Sequence, residues 1–149
     1  MKTIHDNIYL LPMTFYDLLF VNRLRNTCIE YLHTKETYNI FQTIYWFFRY
    51  KPKFWMIVKD GKNIGYFRTS NWTSNSCYIG SDIIEHEREK KYAKKMYPVF
   101  MRYLKRSHGI QKIYLEVLRT NERAFNLYKK LGFVTIESDD INVKMELKL

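Results

Sequence analysis

The chain has 149 residues, enough for one domain with a substantial core, and 46% of them are hydrophobic. That apolar share, with 17% aromatic residues, excludes a disordered chain. The formal net charge of +10 favours an anionic partner such as nucleic acid, a membrane surface or a phosphate-rich cofactor. Composition alone does not choose among these partners.

Cysteine and histidine usage limits the chemistry of the chain. Cys28 and Cys77 lie far apart without metal-like spacing, so we expect free thiols in a reducing compartment and a cytoplasmic protein. The four histidines form no His/Cys cluster, which predicts no metal. Charges and Pro12 interrupt the N-terminal stretch, unlike a secretory signal. The longest uncharged run, Thr37–Phe48, is too short to span a bilayer, so we expect no membrane partner.

The first elements predicted along the chain are a strand and a helix. The apolar residues Ile8–Leu11 predict a strand that ends at Pro12. Thr14, with Asp17 three residues later, is typical of a capping box at the start of a helix that continues toward Asn26.

A second helix is predicted over residues 39–50, NIFQTIYWFFRY. Its apolar residues leave only a narrow polar strip around Gln42–Thr43. A helix that is apolar nearly all round is buried on several sides or lies at an interface. We expect these aromatic residues to belong to the core, and a substrate wall or the face of a homodimer is the alternative.

The middle of the chain predicts three strands. Phe54–Val58 and Asn63–Thr69 form a hairpin around the turn Asp60-Gly61-Lys62. Cys77–Ile84 follows as a third strand, and Gly80 inside it indicates a bulge or a close backbone approach.

The charged stretch EHEREKK leads into a helix predicted over Tyr92–Lys105. Pro98 removes one backbone hydrogen bond, so we expect a kink after the first turn or a later start of the helix. The side chains predicted to face inward are Ala93, Met96, Phe100 and Tyr103 or Leu104.

The stretch Ile113–Phe133 predicts a strand, a polar connection, a helix and a glycine stop. Thr120 or Asn121 can cap this helix, and Gly132 can end it in the left-handed conformation. Its apolar stripe consists of Ala124, Leu127, Tyr128 and Leu131.

A final hairpin, Val134–Glu137 with Ile141–Leu147, closes the predicted sheet. The chain shows no repeat, low-complexity tract or linker, which predicts one domain over residues 1–149.

Part of the stretch Ile113–Phe133 resembles the signature of a known family. The pattern N-x-x-A-x-x-L-Y-x-K-x-G-F is matched by Asn121, Ala124, Leu127, Tyr128, Lys130, Gly132 and Phe133. It is similar to that of the GCN5-related N-acetyltransferase (GNAT) superfamily. The resemblance implies an α+β, three-layer fold whose mixed, mostly antiparallel sheet of six to seven strands is flanked by about four helices. It also implies an acyltransferase that uses acetyl-CoA as co-substrate to acetylate a primary amine.

The resemblance further implies a turn of pattern R/Q-x-x-G-x-G/A that binds the coenzyme A pyrophosphate through backbone N–H groups and a helix dipole. The common RGKGYA version keeps four positions here: Arg88, Lys90, Tyr92 and Ala93. Glu89 and Lys91 replace the two glycines. We expect Lys91 to fit only with helical backbone angles and an outward side chain. A solvated charged face without a ligand is the alternative.

Other roles follow from the same resemblance. Main-chain groups of Ile83 and Ile84 would pair with the pantetheine arm, and an N–H there could stabilise the oxyanion. Asn121 would hold the pantetheine, cap the last helix, or do both. Tyr128 matches the tyrosine that protonates the leaving thiolate, and a purely structural hydrogen bond is the alternative.

The general base has two candidates. Many members of the family place a glutamate at the position of Tyr78, where this chain has no carboxylate. Leu115-Glu116-Val117 resembles the L-E-V stretch of ribosomal-protein alanine N-acetyltransferases, which implies Glu116 as the base. Asp82, on the same strand parity as Tyr78, is the second candidate. A water chain, with Glu116 playing no part, is a further alternative.

The acceptor is indicated by a short cue. Arg23-Leu24-Arg25-Asn26 resembles the arginine–asparagine pair near the first helix of aminosugar and ribosomal-protein acetyltransferases of this superfamily. It implies a small-molecule, aminosugar-type amine ahead of a protein N-terminus or lysine. The competing hypothesis is a basic binding module that kept the fold and lost catalysis. Nucleic acid would be its anion, but the absence of any helix-turn-helix, zinc or RNP pattern disfavours that partner.

Overall fold

The computed structural model describes residues 7–31, 36–88 and 90–149. Contacts within the chain divide it into two compact units. The first unit consists of Met1–Thr69 and Gly80–Lys90, and the second of Ser70–Ile79 and Lys91–Leu149. The prediction of a single domain over residues 1–149 stays a prediction.

The helices and strands agree closely with those predicted. Among the described residues, the elements of the first unit are β1 (Ile8–Pro12), α1 (Leu18–Thr27), α2 (Ile40–Tyr50), β2 (Lys53–Lys59), β3 (Lys62–Ser70, whose last residue belongs to the second unit) and α3 (Glu85–Arg88). Those of the second unit are α4 (Tyr92–His108), β5 (Lys112–Leu118), α5 (Glu122–Lys130), β6 (Val134–Ser138) and β7 (Asn142–Lys148). The strand β4 (Ser76–Ile83) contributes residues to both units.

The described strands are hydrogen-bonded in the order β1-β2-β3-β4-β5-β7-β6. β1–β2, β2–β3, β5–β7 and β6–β7 are antiparallel, and β4–β5 is parallel. The parallel register runs from Ser76 with Lys112 to Tyr78 with Tyr114. The predicted α+β fold with a mixed, mostly antiparallel sheet is therefore confirmed. One helix more than expected is present in the described part, because the charged stretch before α4 forms the separate short helix α3.

Each unit has buried apolar side chains on its helices and strands. In the first unit, Val21 and Leu24 of α1 and Cys28, which directly follows α1, form a cluster with Phe54, Met56, Val58 and Tyr66 of the sheet. In the second unit, Met96, Phe100 and Leu104 of α4 are fully buried, as are Ile113 of β5 and Met145 of β7. Burial of these side chains provides most of the free energy that holds their elements in place.

The prediction that the aromatic residues of α2 belong to the core is wrong for three of them. Phe41, Tyr45 and Phe48 are 78%, 67% and 61% exposed, whereas the buried residue of α2 is Thr43. The Thr43 hydroxyl oxygen accepts a hydrogen bond of 2.9 Å from the buried Asn22 amide of α1. Thr43 therefore packs on α1, and Phe41, Tyr45 and Phe48 face outward. The alternative of a substrate wall or homodimer face stays a prediction.

The helix α4 begins at Tyr92 and continues through Pro98 to His108. The expectation of a later start is therefore wrong, and the exposed Pro98 ring is accommodated within the helix. The buried side of α4 also includes Tyr97, which the predicted inward set left out.

Candidate active site

The helix α5 of the second unit is built as its local sequence predicts. The Asn121 side-chain oxygen accepts a hydrogen bond from the Ala124 N–H at 3.2 Å, which confirms the predicted cap. Gly132 has φ 93°, the left-handed conformation that ends the helix with little strain. The further role of Asn121 toward pantetheine stays a prediction.

Tyr128 lies on the inner face of α5 and is 9% exposed. The Tyr97 O–H of α4 donates a hydrogen bond to the Tyr128 phenol oxygen at 3.3 Å. Phe133 packs edge-on against the Tyr128 ring, with ring centroids 5.8 Å apart. Because Tyr97 is the donor of this pair, the Tyr128 O–H can donate its own hydrogen to a second acceptor. Tyr128 is thus a buried phenol held in place by Tyr97 and Phe133, and its role as a general acid stays a prediction.

The N-terminus of α4 lies in the predicted pyrophosphate turn, at the position where Lys91 replaces a glycine. Lys91 has φ 60° and ψ 21°, so the expectation of helical angles is wrong: the lysine adopts the left-handed conformation that favours glycine. Its side chain is exposed, as expected, and makes no cap. Tyr92 and Ala93 begin the helix, and first-turn N–H groups have no partner inside a helix. Glu89 lies outside the described residues.

Replacing Lys91 by glycine should stabilise the protein. The Cβ of a left-handed residue costs about 1 kcal/mol, which the glycine removes. We expect Lys91→Gly to exceed Lys91→Ala in free energy of unfolding by about 1 kcal/mol, as measured by urea denaturation. The alanine variant removes the charge but keeps Cβ. Equal stability of the two variants would contradict a strained backbone at this position.

Arg88 is engaged inside the first unit. Its Nε donates to the Ile83 carbonyl at 2.8 Å, and a terminal nitrogen donates to Cys28 Sγ at 3.1 Å. The guanidinium also lies 5.5 Å from the centre of the Tyr31 ring. Burial, followed by the nearby charge of Asp82, raises the pKa of the Cys28 thiol, although Arg88 opposes this. Arg88 therefore links α3 to the end of β4 and to Cys28, the residue that follows α1.

Lys90 donates a hydrogen bond of 3.1 Å to Glu87, a carboxylate that is only 7% exposed. Lys59 lies 3.6 Å from the other Glu87 oxygen, and His86 lies 3.9 Å from the first. Burial alone would raise the pKa of Glu87. The hydrogen bond from Lys90, the charges of Lys59 and Lys90 and a smaller contribution from His86 outweigh burial and hold the pKa below its ordinary value of 4.5. Much of the Lys90 charge is thus neutralised by Glu87.

The lowered pKa of Glu87 predicts a pH-dependent contribution to stability. A carboxyl whose folded pKa is depressed stabilises the protein above its unfolded pKa and loses that effect as pH falls through the folded value. We expect Glu87→Gln to lower Tm by about 2–4 °C at pH 7 and by nothing measurable near pH 3. The exposed Glu85→Gln on the same helix is the control. A Tm loss that persists at pH 3 would show that packing, not charge, is responsible.

The backbone at the end of β4 has a defined orientation in the first unit. The Ile84 N–H donates to the Ile64 carbonyl at 2.9 Å, so it faces β3. Because successive residues of a strand direct their backbone groups to opposite edges, the N–H of Ile83 faces away from β3. A Cβ added to Gly65 would meet the Asp82 carbonyl and the Ile83 Cα, so β3 and β4 approach closely here. Of the two predicted residues, Ile83 is therefore the one whose N–H is oriented for an added strand.

Asp82 of β4 is paired with a buried phenol. The Tyr66 O–H donates to the Asp82 carboxylate at 2.6 Å, and Tyr66 is 2% exposed. Burial, with the charge and hydrogen bond of Asp82, raises the pKa of Tyr66 well above its ordinary value. Tyr66 therefore stays protonated and fixes the orientation of the half-buried carboxylate.

Glu116 is exposed on β5 of the second unit, in register with Lys144 of β7. The rings of Tyr78 and Tyr114 lie 5.4 Å apart, and Lys144 lies 5.5 Å from the first and 5.9 Å from the second. A hydrogen bond with Tyr78 raises the pKa of Lys144, and Glu116 adds to this. Glu116 thus belongs to an accessible aromatic and charged surface, and its role as a base stays a prediction.

The sequence model of the Acetyltransferase (GNAT) family matches residues 18–133, most of the chain. The chain belongs to the GNAT acetyltransferase family. It is accordingly an acyltransferase, which confirms the resemblance in the α5 signature. No curated protein matches the sequence significantly.

Three solved structures show the same GNAT fold. A mutant form of the spermidine N-acetyltransferase SpeG from Vibrio cholerae is 18% identical with a TM-score of 0.84, over 95% of this chain and 94% of that one. The putative acetyltransferase YncA from Salmonella typhimurium, solved with acetyl-CoA, is 13% identical with a TM-score of 0.79, over 96% and 94%. Apo FdhC, described as a nucleotide-linked sugar GNAT, is 22% identical with a TM-score of 0.81, over 96% and 87%.

The Arg25 and Asn26 side chains in this GNAT chain hold the segment before α2. Arg25 lies 4.0 Å from the centre of the Tyr38 ring and donates to the Glu36 carbonyl at 2.8 Å. Asn26 exchanges two hydrogen bonds, of 2.8 and 3.1 Å, with the Tyr38 backbone. The structure therefore gives both residues a bracing role.

Two further observations concern metals and membranes. Within residues 7–31, 36–88 and 90–149, the histidines, cysteines and carboxylates form no group of three or more that could hold a metal ion. His5 and His33 lie outside the described residues. In the same part of the chain, every helix is too short or too polar to cross a bilayer.

Proposed function

We propose that this GNAT acetyltransferase transfers the acetyl group of acetyl-CoA to the primary amine of a small molecule of the aminosugar class. The observation that carries the proposal is Tyr128, the tyrosine of the family signature, held as a buried phenol whose oxygen accepts a hydrogen bond from Tyr97. Support comes from YncA, solved with acetyl-CoA, and from FdhC, described as a nucleotide-linked sugar GNAT.

The residues present fit coenzyme A in two places. In the second unit, the N-terminus of α4 has first-turn N–H groups and no side-chain cap from Lys91, so it can bind a pyrophosphate. Lys91 and the neighbouring lysines of α4 add positive charge there. In the first unit, the outward N–H of Ile83 can pair with pantetheine, and Arg88 braces the Ile83 carbonyl. Lys90, with its charge balanced by Glu87, contributes less than the sequence suggested.

Acetyl transfer requires a hydrogen bond to the oxyanion and two proton transfers, and each has a candidate residue. The amine nitrogen forms a bond to the thioester carbonyl carbon while the carbon–sulfur bond breaks. Ile83 can donate its N–H to the developing oxyanion. Tyr128 gives its proton to the leaving sulfur, and Glu116 takes the proton that the amine must lose. Asp82, oriented by Tyr66, is the second candidate for this base.

Charge favours an anionic acceptor over a polyamine. The net charge of +10 attracts a nucleotide-linked aminosugar, which carries phosphates, and repels a polycation such as spermidine. The exposed rings of Phe41, Tyr45 and Phe48 on α2 could stack on a sugar or base. A cytoplasmic location belongs to the same proposal, supported by the buried free thiols of Cys28 and Cys77.

A comparison of two variants tests the base. We expect Glu116→Gln to lower kcat about 100-fold at pH 7 and to shift the acid limb of the pH–rate profile upward or flatten it. Asp82→Asn should leave that limb in place. The reverse result would make Asp82 the base, and unchanged profiles in both variants would assign the proton to water.

A thiol-release assay with a panel of acceptors tests the proposal. The panel pairs a nucleotide-linked aminosugar with the free aminosugar and adds spermidine, an amino acid and an N-terminal peptide. We expect the highest kcat/KM with the nucleotide-linked sugar, and a KM that rises with salt because the attraction is electrostatic. Acetylation of the peptide alone, or of spermidine ahead of both sugars, would contradict the acceptor class.

A further inference from the structure

A second buried phenol contacts the tyrosine of the family signature. Tyr97, in the middle of α4, is fully buried, and its O–H donates to the Tyr128 oxygen at 3.3 Å. The two rings meet edge-on, with centroids 5.7 Å apart and planes at 79°. A phenylalanine at position 97 would fill almost the same volume, so the hydroxyl has a consequence separate from packing.

That hydroxyl acts on Tyr128 in two ways. First, it occupies one lone pair of the Tyr128 oxygen, which directs the Tyr128 hydrogen toward a different acceptor. Second, Tyr128 becomes a phenolate when it protonates the leaving sulfur, and a hydrogen bond to a charged acceptor is stronger than one to a neutral acceptor. The bond from Tyr97 therefore strengthens as the proton leaves Tyr128. The effect is greatest at a buried site, where water does not compete.

We propose that Tyr97 is a positioning residue that orients the Tyr128 hydroxyl and stabilises its phenolate during thiolate protonation. This inference rests on the proposed function of Tyr128 as general acid. Tyr97 keeps its own proton throughout, and Tyr128 recovers one from solvent after the product leaves. Tyr97 and Phe133 both pack edge-on against the Tyr128 ring, and Tyr97 is the one of this pair that carries a hydroxyl.

The Tyr97→Phe variant tests the inference. We expect kcat to fall about tenfold while the KM for acetyl-CoA stays within twofold. The basic limb of the pH–kcat profile should move upward, because Tyr128 loses a donor that favours its ionised form. Tyr103→Phe is the matched control: Tyr103 lies on the same helix, and its hydroxyl lies 3.3 Å from His108. The Tyr103→Phe variant should keep the parent kcat and the parent position of the basic limb.

The double variant Tyr97→Phe/Tyr128→Phe separates the positioning role of Tyr97 from the general-acid role of Tyr128 on which it rests. Tyr97→Phe should cost nothing further in a Tyr128→Phe background, because it acts through that hydroxyl. If Tyr128→Phe itself leaves kcat unchanged, the general-acid proposal fails. If Tyr128→Phe is slow while Tyr97→Phe keeps the parent kcat and basic limb, only the positioning role fails. Thermal melts of each variant confirm that the comparison concerns folded protein.

Discussion

Tyr128→Phe is expected to lower kcat by about 10²- to 10⁴-fold while the KM for acetyl-CoA stays close to that of the parent. Phenylalanine keeps the edge contacts of the ring with Tyr97 and Phe133, so the fold of the second unit should persist. What is lost is the proton donor for the leaving thiolate. Steady-state thiol release with acetyl-CoA varied at saturating acceptor gives both constants.

Tyr103→Phe serves as the control for removing a hydroxyl from the second unit, since the Tyr103 hydroxyl lies 3.3 Å from His108. It should retain the parent kcat. A Tyr128→Phe enzyme with undiminished turnover would exclude Tyr128 from proton transfer. It would leave the hydrogen bond with Tyr97 as a structural feature only.

Gly65→Ala should have the largest effect on stability, a loss of about 3 kcal/mol in the free energy of unfolding. Its Cβ would collide with the backbone carbonyl of Asp82 and crowd Ile83, and backbone atoms cannot move aside without separating β3 from β4. Separation would also displace the backbone of Ile83, the proposed partner of pantetheine. Chemical denaturation monitored by circular dichroism measures the loss.

Gly80→Ala is a matched control within the same strand pair. Its Cβ would meet the Arg68 guanidinium, the far end of a flexible side chain that can swing away. We therefore expect a loss below about 1 kcal/mol. Equal losses for Gly65→Ala and Gly80→Ala would show that the approach of β3 and β4 is less rigid than the structure indicates.

The elements that could be predicted from the sequence are those that short-range interactions determine. The cap at Asn121, the glycine stop at Gly132 and the turn at Asp60-Gly61 each depend on neighbouring residues, so the local pattern was sufficient. The same holds for Tyr128, which helical spacing alone places on the inner face of α5.

The burial of α2 could not be predicted because it depends on a partner distant in the sequence. Hydrophobicity favoured the aromatic side as the buried one. The hydrogen bond between Thr43 and Asn22 of α1 decides otherwise, and nothing near Thr43 in the sequence indicates that partner. Lys91 was misjudged for a different reason, since the turn keeps its left-handed backbone although the glycine has been replaced.

Side-chain pairs between separate elements were likewise beyond sequence reasoning. Tyr97 lies one position from the predicted inward stripe of α4, and its partner Tyr128 is 31 residues away. Tyr66 and Asp82 are 16 residues apart on different strands. Asp82 was suggested by strand parity, but the phenol that orients it carried no sequence signal.

The most direct test of the account is a calorimetric titration of the wild-type protein with acetyl-CoA, alongside thermal melts with and without the ligand. The account predicts saturable one-to-one binding and a rise in Tm, because a ligand specific to the folded state stabilises it, by about 2.7 kcal/mol at 100 times Kd. Absence of acetyl-CoA binding, together with steeply salt-dependent binding of random oligonucleotides, would contradict it. That outcome would identify a basic binding module on a GNAT fold.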